Sequence, residues 1–163
     1  MVLKGERILL RPFKKEDAEE YFKIANDTII KKYIPFASPD TIEECTELID
    51  NYINLDFIND FYFVIEDLHT HQLIGAVLCF RTTSFTLDTS YFIAKNYRGN
   101  GFILETLEVF IDYLSKNTSY KTLFFMIKKD NLASKKIMKK LGSKIINATI
   151  HTSSYEYRIK SAN

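Results

Sequence analysis

Cysteine is scarce, with two in 163 residues. Cys45 and Cys79 stand far apart and in no metal-ligand spacing, which argues against a disulfide framework and a zinc site. His69, His71 and His151 add no zinc pattern, so no metal is expected. Neither sign of charge dominates. Lys and Arg number 22 against 21 Asp and Glu, a formal net charge of +1. A broad electrostatic footprint for nucleic acid or an anionic membrane is therefore missing. No segment approaches the ~20 apolar residues of a membrane span. The first seven residues carry no apolar run of the signal-peptide kind. Repeats, low-complexity runs and linkers are absent. Hydrophobic residues reach 46%, enough for a core. These properties predict a single domain over residues 1–163, soluble and cytoplasmic, with no direct nucleic-acid or membrane partner.

Glycine is also scarce, and two of the five fall in Arg98-Gly99-Asn100-Gly101-Phe102. Upstream, Thr89-Ser90-Tyr91-Phe92-Ile93-Ala94 has the aromatic and β-branched content of a strand. Downstream, Leu104, Leu107, Ile111 and Leu114 recur at helical spacing, with Glu105, Glu108 and Asp112 on the opposite face. A glycine turn that opens a helix exposes unpaired N–H groups at the positive end of the helix dipole. Such a turn suits a phosphate or pyrophosphate. Glycine allows close approach of the backbone, and Arg98 adds a positive charge. The bland alternative is a loop whose glycines only satisfy turn geometry. Lys128-Lys129, Lys135-Lys136 and Lys139-Lys140 read as a solvated helix face, or as phosphate attraction beside that turn.

Along the chain, residues 7–13 read as a strand closed by Pro12, and a helix opens at Lys14 with Ala18, Tyr21, Phe22 and Ala25 on its apolar face. Residues 29–39 read as irregular, broken by Pro35 and Pro39. A second helix runs from Asp40 to about Leu55, and Thr41 with Glu44 has the form of a capping box. Residues 61–67, 73–82 and 84–94 form three strands joined too tightly for crossovers, hence an antiparallel meander. After the glycine turn and its helix come a buried strand at 122–127, a helix at 131–141 stopped by Gly142, and a hairpin of 145–150 with 155–159. The expected class is α/β (α+β): a mixed, mostly antiparallel twisted sheet with about four helices.

These residues, in this order, resemble the GNAT family of acyl-CoA-dependent N-acetyltransferases, and within it the RimJ/RimL-like branch of ribosomal-protein N-terminal acetyltransferases. Glu6-Arg7-Ile8-Leu9-Leu10-Arg11-Pro12 with Glu16-Asp17-Ala18 is similar to that branch's opening, and Leu73-Ile74-Gly75 to its third strand. Arg98-Gly99-Asn100-Gly101 is similar to the family's pyrophosphate loop. Asn131-Leu132-Ala133-Ser134 followed by Lys140-Leu141-Gly142 is similar to its second cofactor motif. The resemblance implies a wedge between strands 84–94 and 122–127 that holds acetyl-CoA as co-substrate. It implies that the backbone of Phe92, Ile93 and Ala94 pairs with the pantetheine arm as an added strand would. Backbone from Arg98, Gly99, Asn100, Gly101, Phe102 and Ile103 would hold the pyrophosphate. Asn131 and Ser134 would reach the pantetheine and the thioester sulfur.

Two departures from the family stand out. Ile103 replaces a small residue of the loop, so either its side chain hinders the phosphates or it turns into the core and leaves the backbone to bind. Leu104 likewise replaces a small hydroxyl residue. Met138 stands where many members carry a tyrosine proton donor, leaving Ser134 as the candidate partner of the departing thiolate. For the base, Asp88 and Glu156 are both open. Tyr155 and Tyr157 share one strand face and Glu156 takes the other. Tyr33, Phe36, Phe57, Phe61 and Tyr62 are candidates for the acceptor walls. Without a strong base, an α-amine is the easier acceptor. Deprotonating a group of pKa about 8 at pH 7 costs roughly 1.4 kcal/mol, against roughly 4.6 kcal/mol for lysine. The expected activity is acetyl transfer to a primary amine, a peptide N-terminus or a small molecule, by a monomer or homodimer. The competing readings are an inactive acyl-CoA-binding module of the same fold and an unrelated nucleotide-binding domain. The last lacks a βαβ unit with an acidic residue about 20 positions beyond its glycines.

Overall fold

The computed structural model describes residues 1–54 and 60–160. The strands are β1 (Leu3–Lys4), β2 (Ile8–Arg11), β3 (Phe61–Asp67), β4 (Leu73–Thr83), β5 (Thr86–Ile93), β6 (Thr122–Lys128), β7 (Lys144–Ala148) and β8 (Thr152–Arg158). The helices are α1 (Ala18–Ala25), α2 (Thr28–Tyr33), α3 (Ile42–Ile53), α4 (Phe102–Asn117) and α5 (Leu132–Leu141). All eight strands join one sheet in the order β1-β2-β3-β4-β5-β6-β8-β7.

Aromatic and β-branched residues make β3, β4 and β5 the expected antiparallel meander. The one parallel pairing among the described residues joins β5 to β6, and the helix α4 makes the crossover. That pairing is short: Thr86 faces Thr122, Leu87 faces Leu123 and Asp88 faces Phe124. Beyond it β5 stays with β4 and β6 stays with β8, so the two strands part and open the expected wedge.

A hydrophobic core covers each face of the sheet. On one face Leu107, Phe110 and Leu114 of α4 and Met138 of α5 meet Phe63, Leu87 and Phe125. On the other, Tyr21 of α1 and Tyr52 of α3 meet Val64, Leu78 and Phe92. Fully burying each such side chain contributes roughly 1.5–3 kcal/mol, which fixes both helix layers against the sheet.

Several expectations need correction. Residues 28–33 are a helix where an irregular segment was expected, so the described residues hold five α-helices. Asp27 caps that helix by accepting from the N–H groups of Ile29 and Ile30. Lys15–Asp17 form a 3-10 turn ahead of α1. The capping box at α3 is split: Thr41 Oγ1 accepts from Glu44 N, but the Glu44 carboxylate accepts from Asp40 N. The far end expected for that helix, Leu55, lies outside the described residues. Strand β6 is buried on one face only. Leu123, Phe125 and Ile127 are buried, while Met126 is 63% exposed. The final hairpin is shifted, with β7 beginning at Lys144 and β8 at Thr152. No helix among the described residues is long and apolar enough to cross a membrane.

Candidate active site

A cavity of about 500 Å³ fills the mouth of the wedge. Strand β5 contributes Tyr91, Phe92 and Ile93, and the glycine turn contributes Arg98, Gly99, Gly101, Phe102 and Ile103. Asn131 and Ser134 close the cavity from α5, and Ile29, Ile30 and Tyr33 from α2. Gly101 is the N-cap of α4 at φ +83°, a left-handed conformation that disfavours any side chain. Helix α4 begins its bonding with Glu105 N donating to Gly101 O, so the N–H groups of Phe102, Ile103 and Leu104 have no carbonyl within the helix. A Cβ at Gly99 would meet nothing within 4 Å, so the loop faces open space.

Ile103 resolves the first departure. Its side chain is 5% exposed and belongs to the α4-side core, which leaves the turn's backbone to meet a ligand. Phe92 is buried on the other face, edge-on to Tyr21, and Ala94 N donates to Ile74 O. Asn100 has its carbonyl held by the Arg7 guanidinium at 2.9 Å. The same guanidinium bonds Glu105 and lies 4.4 Å from the Phe102 ring centre, so Arg7 braces the loop from behind.

Arg98 is tied to the protein. Its Nε donates to Ile93 O at 3.3 Å, and its guanidinium lies 2.9 Å from Asp27 Oδ1. Burial works to raise the Asp27 carboxyl, but the Arg98 pairing and the N–H groups of Ile29 and Ile30 outweigh it and hold the carboxyl below its ordinary value. On α5, Asn131 Oδ1 accepts from Ser134 N at 3.1 Å. Asn131 is thus the helix cap, and its amide NH2 remains for a ligand. Met138 is fully buried in the core.

The two carboxylate candidates share a face. Asp88 faces Phe124, and Phe124 faces Glu156, so they flank Phe124 about 10 Å apart across two strand spacings. Burial raises the Asp88 carboxyl, with the Thr89 N–H partly opposing. Glu156 is bonded to Arg158 at 2.7 Å. Tyr155 and Tyr157 belong to the opposite, core face, in line with the strand alternation. Of the aromatic candidates, Phe61 and Tyr62 are buried core residues, Tyr33 lines the cavity, and Phe36 stands exposed against Phe80. Phe57 lies outside the described residues.

The acetyltransferase (GNAT) domain matches residues 7–144. The chain belongs to that family. A curated relative is the probable N-acetyltransferase YjcK of Bacillus subtilis (strain 168), 26% identical over 149 residues, covering 86% of this chain and 82% of that protein. A GNAT-family acetyltransferase from Bacillus anthracis superposes with a TM-score of 0.84 at 20% identity, over 98% of each chain. RimL, a ribosomal L7/L12 alpha-N-protein acetyltransferase solved with coenzyme A, superposes with a TM-score of 0.86 at 11% identity, over 99% of this chain and 100% of that one. The fold is the one RimL also has, and the protein is an acyl-CoA-dependent acetyltransferase whose co-substrate is acetyl-CoA.

Acetyl-CoA makes two demands on a GNAT site, and both have groups here to meet them: open N–H groups at a left-handed glycine turn, and an apolar slot beside a strand edge. Three contributors escaped the sequence reading: Arg7 behind the loop, Asp27 on Arg98, and Tyr91 beside Ser134, whereas Tyr33, already a wall candidate, lines the cavity from α2. Asp27 was legible as a cap ahead of Thr28-Ile29-Ile30. The others depend on which segments meet in space.

Proposed function

We propose that this protein moves the acetyl group of acetyl-CoA directly onto a primary amine, either the α-amine of a peptide N-terminus or a small amine. The observation that carries this reading is the wedge. Strands β5 and β6 part after Asp88, and the opening is lined by the glycine turn, the start of α4 and Ser134. The turn and the N-terminus of α4 hold the pyrophosphate, and the freed edge of β5 near Ile93 holds the pantetheine arm. A backbone N–H there supplies an oxyanion donor. Ser134 faces the departing sulfur. Asp88 is the better base of the two carboxylates. It is half-buried with a raised carboxyl, whereas Glu156 is engaged by Arg158. Positioning supplies the larger share of the rate. Ile103 in the core removes one of the departures that favoured an inactive binding module.

The preference for an α-amine rests on the roughly 3 kcal/mol smaller cost of deprotonation relative to lysine. The alpha-N-protein acetyltransferase activity of RimL points the same way. The test is acetyl-CoA with three acceptors: a lysine-free peptide with a free N-terminus, an Nα-blocked lysine peptide and a small primary amine. Released CoA thiol and product mass are followed together. Transfer to the free N-terminus or the small amine at pH 7 is expected. Faster transfer to the blocked lysine peptide overturns the acceptor reading, and no transfer to any acceptor overturns the activity.

A further inference from the structure

Tyr91 lies on the face of β5 that looks toward α4 and α5, with its ring 6.3 Å from that of Phe125. Its hydroxyl is buried and makes no hydrogen bond of ordinary geometry. A buried hydroxyl in that condition is uncommon and calls for a partner. Ser134 on α5 is the polar side chain that bears on it, and both residues line the wedge cavity. Ser134 has its backbone N–H taken by Asn131, so its hydroxyl is not spent on the helix cap. Met138, one turn further along α5, is core and has no proton to give.

We propose that Tyr91 is a positioning residue that makes Ser134 the hydrogen-bond donor to the departing sulfur. This inference rests on the acetyl-CoA reading above and deepens it. The phenol donates to Ser134 Oγ, and the serine O–H is then directed into the cavity. Two hydroxyls in series polarise one another, so the second becomes the stronger donor. Burial is the largest influence and pushes the phenol up to about 12; Ser134 is within reach of it, and Tyr155 on β8 is the other titratable group that bears on it. Tyr91 therefore keeps its proton at any working pH and acts as a donor, not as an acid. In the transfer, the amine nitrogen bonds to the acetyl carbon and the carbon–sulfur bond breaks. The electron pair stays on sulfur as thiolate, and the surplus amine proton leaves to Asp88 or solvent. Ser134 holds the thiolate through its hydrogen bond.

The test is titration calorimetry of CoA and of desulfo-CoA, which lacks the sulfur, at pH 9, where part of the thiol is thiolate. Wild type, Tyr91→Phe, Ser134→Ala and the double variant are compared. Each single variant is expected to weaken CoA about tenfold, the size of one hydrogen bond to a charged group, and to leave desulfo-CoA unchanged. The double variant is expected to bind CoA no more weakly than Ser134→Ala, because Tyr91 acts through that serine. Unchanged CoA affinity in Tyr91→Phe overturns the proposal. So does an equal loss for desulfo-CoA, which marks a structural role, and so do additive losses in the double variant. Wild type that binds neither ligand overturns the acetyl-CoA reading itself, a result distinct from all of these.

Discussion

Asp88 occupies the last row at which β5 and β6 still pair, half-buried, with its carboxyl raised by desolvation. The sign of its effect on stability follows from that direction. Above the raised value the folded state holds a charge it would rather shed, so the carboxylate costs stability. Below the ordinary carboxylate range both states are protonated, and the cost vanishes. Asp88→Asn is therefore expected to melt higher than wild type at pH 8, with the difference closing below about pH 4, as read by thermal denaturation across pH. The same variant is expected to lose about 10²-fold in kcat/KM, together with the acidic limb of its pH profile. Gly75 makes a second demand at this scale. A Cβ there would stand 2.3 Å from the carbonyl oxygen of Phe92 and 3.0 Å from the Cα of Ile93. Both atoms are backbone of β5, the strand assigned to the pantetheine arm, on its β4-facing side. Gly75→Ala should displace β5, lowering the melting temperature and weakening acetyl-CoA in the same protein, both read by a ligand-dependent thermal shift. At this scale the sequence was informative where chemistry sits in a contiguous motif: Gly99, Gly101, Asn131 and Ser134 all line or frame the cavity. It was silent on Tyr91, whose meaning depends on strand parity and on the residue that α5 places opposite.

Helix α2 shows why an element can be hidden. Thr28-Ile29-Ile30 is β-branched, Lys31-Lys32 adds like charges, and Pro35 follows closely, so local propensity favours no helix. Tertiary ties hold it. At its start Asp27 caps the helix and pairs with Arg98 of the glycine turn. At its end Lys32 pairs with Asp130, and Lys128 Nζ donates to Lys32 O. The helix thus spans the wedge mouth between the glycine turn and the segment that leads into α5. Asp27→Ala removes cap and ion pair together and should cost about 1 kcal/mol or more in urea unfolding. Asp27→Asn keeps the cap and removes the charge that competes for Arg98, so its acetyl-CoA affinity should rise severalfold with little change in stability. A fall in affinity would mean that Asp27 positions Arg98 instead of holding it back. Strand β6 was misread for a related reason. Phe124 and Met126 are apolar, so its run looks buried throughout, yet their face carries no helix layer beyond β5. By contrast the β3–β5 meander was legible nearly to the residue, because tight turns bound runs of aromatic and β-branched residues that β3 and β4 bury on both faces.

Across the whole molecule the formal charge is only +1, a total that conceals a local field. Arg98, Lys136 and Lys140 line the cavity, Arg7 stands behind its loop, and Asp27 partly offsets them. The lysines of α5 have their role set by where the fold puts them, since the same pairs on another face would only be solvated. Charges within a Debye length of about 8 Å at physiological ionic strength act on a bound phosphate, whereas those on the far face are screened. Lys136 and Lys140 are exposed, so replacing them leaves both cores intact. Lys136→Glu with Lys140→Glu should therefore unfold within about 0.5 kcal/mol of wild type. Its acetyl-CoA affinity should fall about tenfold or more at low salt, and the deficit should shrink as salt is raised. The deficit should also be smaller for dephospho-CoA, which carries less charge. Equal deficits at every salt concentration would show that the α5 lysines shape the cavity by contact and not by their field.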